Sequence, residues 1–244
     1  ITVATICYPK DQLDEAKKLG ASLLIFKPQF LTPTNFDLAT EYGAYVDVPP
    51  FADSEYVFEQ LNRSRAKIVC HNVGHVQVAR QAEVGYIAGQ GLNIFNDQIA
   101  NEFPDADTFV YSYELTLKEI SSFKRGDGLI FVDGKLPLMK LSHCPYKAAT
   151  NCDCSSCKAD GKLIYTDEFG RQFEIVRRKD KKCTFELVNG KKLSAIAKIN
   201  FTGRFLVDFD RDVVRHYLAL NRGENDDYQP QEEYTKGRLF SKIN

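Results

Sequence analysis

Short apolar runs return along this chain at a nearly constant interval, and that interval leaves few folds open. They fall at residues 1–6, 22–26, 44–48, 66–70, 85–88, 108–111 and 128–132. Each begins about 19 to 23 residues after the one before it, room for one strand and one helix. Between them lie stretches with apolar spacing near the helical period, at 11–19 (DQLDEAKKL), 54–61 (SEYVFEQL) and 75–82 (HVQVARQA). Strands that alternate with helices pair in parallel through right-handed crossovers. The expected fold is therefore α/β: a TIM-like parallel β/α barrel, complete or incomplete.

The rhythm breaks after residue 132. A cysteine cluster at 152–157 is followed by apparent β segments at 162–177 and 183–189. Leu163 and Tyr165 alternate on one side of the turn-forming Asp167-Glu168-Phe169-Gly170, and Phe173 and Ile175 on the other, which predicts a hairpin. A strand at 204–209 and a helix at 211–220 then resume the β/α pattern, while 221–231 (NRGENDDYQPQ) is polar enough for a loop. The expected organisation is β/α units over 1–133, a cysteine-rich metal-binding insertion with a β-hairpin over 134–200, and a closing strand, helix and tail of the same domain over 201–244.

The insertion carries the clearest chemistry. Cys154 and Cys157 form a C-x-x-C knuckle, a spacing that lets two thiolates of one turn converge on one ion, with Cys144 before it and Cys183 after it. Four thiolates make a closed tetrahedral shell for Zn²⁺, and the same four could carry a 4Fe–4S cluster; the spacing does not separate them. Free thiols or disulfides are the plainer alternatives, although seven cysteines is an odd number and the chain is long for a disulfide scaffold. Cys152 competes with Cys154 for the ligand role, with the C-x-x-C spacing favouring Cys154. Cys7 and Cys70 lie in or beside apolar strands and read as small core residues.

Bulk properties exclude several functions. No apolar run approaches the roughly 18 to 20 residues of a membrane helix, so no membrane partner is expected. A net charge of -1 argues against binding nucleic acid by bulk electrostatics and leaves only local patches. The first residue is Ile1, with no basic and apolar leader after it, so the start reads as a trimmed fragment and not as a signal peptide, and a cytoplasmic location is expected.

The run Leu136-Pro-Leu-Met-Lys-Leu-Ser-His-Cys-Pro145, followed by the spaced cysteines, resembles the collagenase-like peptidase family U32, particularly the second half of its long members. Gly91-Leu-Asn-Ile-Phe-Asn96, Ser112-Tyr-Glu-Leu-Thr-Leu-Lys-Glu-Ile120 and Tyr234-Thr-Lys-Gly-Arg238 are similar to three further segments of that family. The chain departs from the pattern at Tyr113, where the family carries Pro, and at Glu168, where it carries a basic residue. The resemblance implies a C-terminal barrel domain with a Cys₄ metal site, working with an upstream part of the protein on peptide or RNA. Some members are named as collagenases, and others act in RNA base hydroxylation and need an iron–sulfur cluster. The alternative is a non-catalytic docking module with a structural zinc site. No G-x-S-x-G or H-E-x-x-H supports a protease.

In β/α barrels the reacting groups stand at the C-terminal ends of strands, which selects Lys27, Asp47, His71, Asn93, Asn96, Glu114, His143 and Asp208. Glu114 also matches the family's Glu and reads as an acid/base group or substrate anchor, or else as a cap of the helix that begins near Thr116. Glu114, Asn93 and Lys27 are expected to line one polar pocket. Asn93 and Asn96 present amides from one turn to a ligand, or hold the loop together. His143 would stand beside the metal or pack at the surface. The basic run Arg177, Arg178, Lys179, Lys181 and Lys182 reads as a solvated turn or, with Phe173, Phe185 and Tyr165 interleaved, as an RNA contact.

Overall fold

The computed structural model describes residues 2–150, 157, 163–224, 226–230 and 234–240. Its first half is the expected alternation: β1 (Thr2–Cys7), α1 (Lys10–Leu19), β2 (Leu23–Phe26), α2 (Pro33–Tyr42), β3 (Tyr45–Asp47), α3 (Ser54–Ser64), β4 (Lys67–Cys70), α4 (Val73–Gln81) and β5 (Tyr86–Ala88). A 3₁₀ turn (Gln90–Leu92), α5 (Asp97–Ala100), β6 (Thr108–Phe109), α6 (Leu117–Ile120) and β7 (Ile130–Gly134) follow. The insertion supplies β8 (Pro137–Leu141), α7 (Pro145–Thr150), β9 (Leu163–Thr166), β10 (Gln172–Lys179), β11 (Cys183–Val188) and β12 (Lys192–Ser194). The chain then forms β13 (Arg204–Asp208), α8 (Arg211–Arg222) and β14 (Tyr234–Thr235). No helix among the described residues is long and apolar enough to cross a membrane.

Ten strands form one curled sheet in the order β14-β12-β7-β13-β1-β2-β3-β4-β5-β6. All neighbours from β7 through β13 to β6 run parallel. Their bodies are apolar because helices cover one face and the curl buries the other: Val3, Ala4, Val46, Ile68, Phe205 and Leu206 are all but excluded from solvent. Cys7 and Cys70 pack in this core. Helix starts are set by short polar caps, Asp53, Asn72, Asn96, Thr116 and Asp210 each accepting a first-turn N–H.

The expected TIM-like parallel barrel is not formed. The sheet is open, with β14 and β6 at its edges, and it is mixed, because β12 runs antiparallel to β7. The insertion is the reason. β13 holds one edge of β7, and closure needs the other, but β12 occupies that edge at Asp133 and Gly134. β6 is two residues long and meets the chain ahead of β7 at the isolated Val110–Leu129 bridge, where Leu129 N–H donates to Phe109 O at 2.7 Å, and through the Thr108 hydroxyl, which donates to Asp127 O at 2.6 Å, without a continuous ladder. The product is a curled, half-barrel sheet. A second, four-stranded antiparallel sheet, ordered β8-β11-β10-β9, comes from the same insertion and includes the expected hairpin of β9 and β10.

Candidate functional site

The period-2 alternation of the small sheet gives it two chemically different faces. Cross-strand register places Glu186 opposite Val176 of β10 and Lys140 of β8, and Arg178 opposite Thr184. Glu174, Arg178, Thr184 and Glu186 are all buried. This face meets the C-terminal ends of the parallel strands. Backbone bonds fix the approach, Leu31 N–H donating to Lys179 O at 2.7 Å and Lys179 N–H to Gln29 O at 2.9 Å. The small sheet is thus a lid across the mouth of the large one.

Four ion pairs tie the mouth together. Arg178, only 2 % exposed, donates to the side chain and the backbone carbonyl of Asp47, at the end of β3. Lys27, just past β2, donates to Glu186 at 2.7 Å. Lys135, past β7, pairs with Glu174, and Lys192 stands 2.6 Å from Asp133. Burial opposes charge on Glu186, but Lys27 and Arg178 outweigh it and hold the carboxyl down to about 2. Asp47 is held well below the usual range, against its burial, by the hydrogen bond from His71 and the charge of Arg178.

His71 follows β4 and is committed on both ring nitrogens. The Gly91 N–H donates to Nδ1 at 3.2 Å, so the Nε2 proton goes to Asp47 at 3.0 Å. Only glycine permits this approach, since a Cβ on Gly91 would lie 2.4 Å from the His71 carbonyl oxygen. Burial pushes the imidazole pKa down, leaving it neutral. His71 is a brace and not a free base.

Beside this network lies a cavity of about 410 Å³, lined among others by Tyr8, Lys27, Lys135, Glu174, Glu186 and Asp208. Asp208 ends β13. Tyr8 donates its hydroxyl to Oδ1 at 3.1 Å, and the Lys135 N–H donates to Oδ2 at 2.8 Å. Burial raises the Asp208 pKa, only partly offset by that Lys135 N–H and by Lys27. A carboxyl tuned upward in a cavity, within reach of a phenol and two lysines, is suited to holding a proton for a substrate. Gly134 makes room for it, because a Cβ there would sit 2.5 Å from the Asp208 carboxyl.

The expected site residues are dispersed by comparison. Lys27 lines the cavity. Asn93 is exposed and closes the 3₁₀ turn with φ of 48°. Glu114 is exposed and lies outside the cavity lining, and the cap of α6 is Thr116, reciprocated by Glu119. Asn96 caps α5, and His143 is exposed. The strand-end rule did select Asp47, His71 and Asp208. Arg178, Glu186 and Lys140 escaped it because they come from the lid; the i, i+4 spacing of Glu174 and Arg178 on a strand was the available signal that they share a face.

Cys144, Cys157 and Cys183 lie on the other side of the lid. Cys183 is on the β11 face opposite Glu186, and burial raises its pKa, with the Arg177 and Lys179 charges working against the rise and those of Cys144 and Cys157 adding to it. Arg177 Nη1 stands 3.9 Å from Cys157 Sγ, and the Lys147 N–H donates to Cys144 Sγ at 3.4 Å. These are reduced, partly exposed thiols with cationic and N–H neighbours, a soft donor set that suits Zn²⁺ or an iron–sulfur cluster. Among the described residues no group of three such side chains stands close enough to hold a metal ion. Cys152 and Cys154 lie outside the described residues.

No protein-family model matches the chain, and no curated protein matches it. Among solved structures, the spore cortex-lytic enzyme SleL of Bacillus megaterium QM B1551 is similar at 10 % identity, over 92 % of this chain and 74 % of that chain, with a TM-score of 0.37. A likeness that distant carries no argument about fold or activity.

Proposed function

We propose that this chain is the substrate-holding half of a U32-like protein that modifies RNA bases, with its chemistry in the lidded mouth and Asp208 as the proton-handling residue. The observation that carries this is the cavity beneath the lid, where Asp208, Tyr8, Lys27 and Lys135 converge from four strand ends. Its volume falls in the range of single small-ligand sites, which suits one flipped-out base better than an extended peptide. Its described lining offers no Ser, Thr, Cys or His, so nothing there serves as the nucleophile and base of covalent peptide cleavage. Lys27 and Lys135 orient the polar edge of the substrate, and Asp208 takes or returns a proton at its carboxyl oxygen.

Cys144, Cys157 and Cys183, with Cys154, would hold the metal centre on the outer face of the lid. A 4Fe–4S cluster would supply electrons, and Zn²⁺ would brace the lid. The upstream part of the protein would bring the RNA. A cytoplasmic location fits, since free thiols persist where glutathione keeps them reduced. The docking-module reading is favoured by the exposure of Met139, Tyr165 and Phe169 on the lid.

The test is made in the full-length protein, purified without oxygen, with cellular RNA hydrolysed and its hydroxylated nucleosides measured by mass spectrometry. Asp208→Asn lowers hydroxylation on the order of a hundredfold and leaves the visible spectrum and metal content as they were. Glu114→Gln, outside the cavity, has the smaller effect. Full activity in Asp208→Asn, or a greater loss in Glu114→Gln, removes the cavity from the reaction.

A further inference from the structure

The edge where β12 meets β7 carries a second polar pocket. Register sets Ser194 directly opposite Asp133, a pairing that brings Cβ atoms to about 5 Å, and Lys192 lies two residues before Ser194 on the same face of β12. The Ala195 N–H donates to Val132 O at 2.9 Å and pins that register. Asp133 and Ser194 are 1 % and 2 % exposed. The Lys192 ammonium stands 2.6 Å from Asp133 Oδ1, yet among the described residues neither Asp133 Oδ2 nor the Ser194 hydroxyl has a hydrogen-bond partner. Burial raises the Asp133 pKa, and Lys192 opposes the rise. Two neighbouring polar groups buried without partners cost stability until something meets them.

Both residues line a cavity of about 240 Å³, with Tyr228, Pro230 and Tyr234 of the C-terminal tail on its other walls. Lys192 and Asp210 line this cavity and also the cavity of about 410 Å³ that holds Asp208, so the two adjoin. The chemistry of the lining selects what it takes. Asp133, Asp210 and Asp212 are acidic, but among the described residues no three such side chains stand close enough to hold a metal ion. An organic cation would meet like charge, because Lys192 stands 2.6 Å from Asp133 and 3.9 Å from Asp210. A hydroxyl answers both orphaned groups at once, donating to Asp133 Oδ2 and accepting from Ser194. A nucleotide inside an RNA strand keeps one free sugar hydroxyl, the ribose 2′-OH, which both donates and accepts.

We propose that Asp133 and Ser194 form a hydroxyl subsite that reads the ribose 2′-OH of the nucleotide whose base enters the mouth. Naming the hydroxyl as that of a ribose rests on the reading of the mouth as a base-modifying site; the hydroxyl chemistry rests on β7 and β12 alone. The subsite makes the chain select RNA over DNA without reading the base.

The test is binding of the four ribonucleosides and their 2′-deoxy counterparts to the full-length protein, compared pair by pair by isothermal titration calorimetry. At least one ribonucleoside binds, and its 2′-deoxy counterpart binds about tenfold more weakly, the effect of losing a hydrogen bond to a charged acceptor. Ser194→Ala and Asp133→Asn each weaken the ribonucleoside about threefold or more and leave the deoxynucleoside as it was, so each narrows the preference. If Asp133→Asn fails to fold, Ser194→Ala decides the matter by itself. Equal binding within every pair, a preference undiminished in Ser194→Ala, or no binding of any nucleoside overturns the subsite. Asp208→Asn separates this from the reading of the mouth, since it lowers hydroxylation and keeps the ribose preference. Full hydroxylation in Asp208→Asn, with a preference that still narrows in Ser194→Ala, removes Asp208 from the reaction and leaves the subsite standing.

Discussion

The bodies of the parallel strands and the ends of the same strands are buried to nearly the same degree, by opposite means. Val46 and Ile68 are 0 % exposed in the sheet body; Arg178 at 2 % and Asp47 and Glu186 at 5 % are hardly less enclosed at the mouth. In the body, stability follows from apolar area and tight packing, and neighbours of similar shape can substitute for one another. At the mouth, each charge is tolerable only because a specific partner from another element meets it. The body can therefore be read from local pattern, whereas the mouth exists only once the lid has docked.

The sharpest way to break this contrast is to remove one partner at the mouth. Arg178→Met leaves Asp47 buried beside a thioether and should cost about 3–5 kcal/mol, as much as truncating Phe205 to Ala in the sheet body. The two losses differ in how they are repaired. Adding Asp47→Leu to Arg178→Met removes both charges together and should recover much of the loss, whereas no second truncation repairs a cavity at Phe205. Urea unfolding of the two single variants and the double variant reads this out. A cost below about 1 kcal/mol for Arg178→Met would show that water already solvates Asp47, and the contrast would fail.

Acid sharpens the same comparison, because protons reach the mouth and not the body. The Glu186 carboxyl is held at about 2 in the folded protein against its usual 4.5. A depressed carboxylate stabilises the fold fully above its unfolded value and loses that contribution as pH falls toward the folded one. Glu186 should thus supply about 3 kcal/mol at neutral pH that disappears between about pH 5 and 2. Unfolding free energies measured across that range should fall steeply for the native sequence and less steeply for Glu186→Gln. Equal slopes would mean that Lys27 and Arg178 do not hold the carboxylate.

How much of this was legible in the sequence follows from the same division. The strands fall where the apolar runs predicted them, because burial on both faces of a parallel strand leaves a continuous apolar signature; Lys67–Cys70 and Thr2–Cys7 lie within a residue of the runs that announce them. Closure of the sheet was not legible. It turns on which strand takes the free edge of β7, and the three residues of β12 carry no mark of that choice. The basic run at 177–182 read as a solvated turn or an RNA contact, yet alternation sends Arg178 inward to Asp47 and Arg177 outward to the Cys157 thiol. Asp47 and Arg178 lie 131 positions apart, a separation beyond any local pattern. Of the expected cysteine ligands, Cys144, Cys157 and Cys183 are described, and among the described residues no group of three such side chains stands close enough to hold a metal ion; Cys154 lies outside them.

The smallest expected effect lies where body and lid meet at the surface. Asp53 does two jobs: its carboxylate accepts the Tyr56 N–H at 2.8 Å as the cap of α3, and it pairs with Lys181 of the lid at 3.2 Å. The cap belongs to the body and the pair to the lid, so substitutions can separate them. Asp53→Ala removes both and should cost about 1 kcal/mol, the usual worth of such a cap. Asp53→Asn keeps an oxygen for the Tyr56 N–H and discards only the ion pair, whose members are 42 % and 54 % exposed; water and salt screen it, and the loss should stay below about 0.5 kcal/mol. Lys181→Ala should match Asp53→Asn, since it deletes the same pair from the other side. If Asp53→Asn instead costs as much as Asp53→Ala, the pair, and not the cap, carries the energy, and charge at the rim of the lid would count as much as charge beneath it.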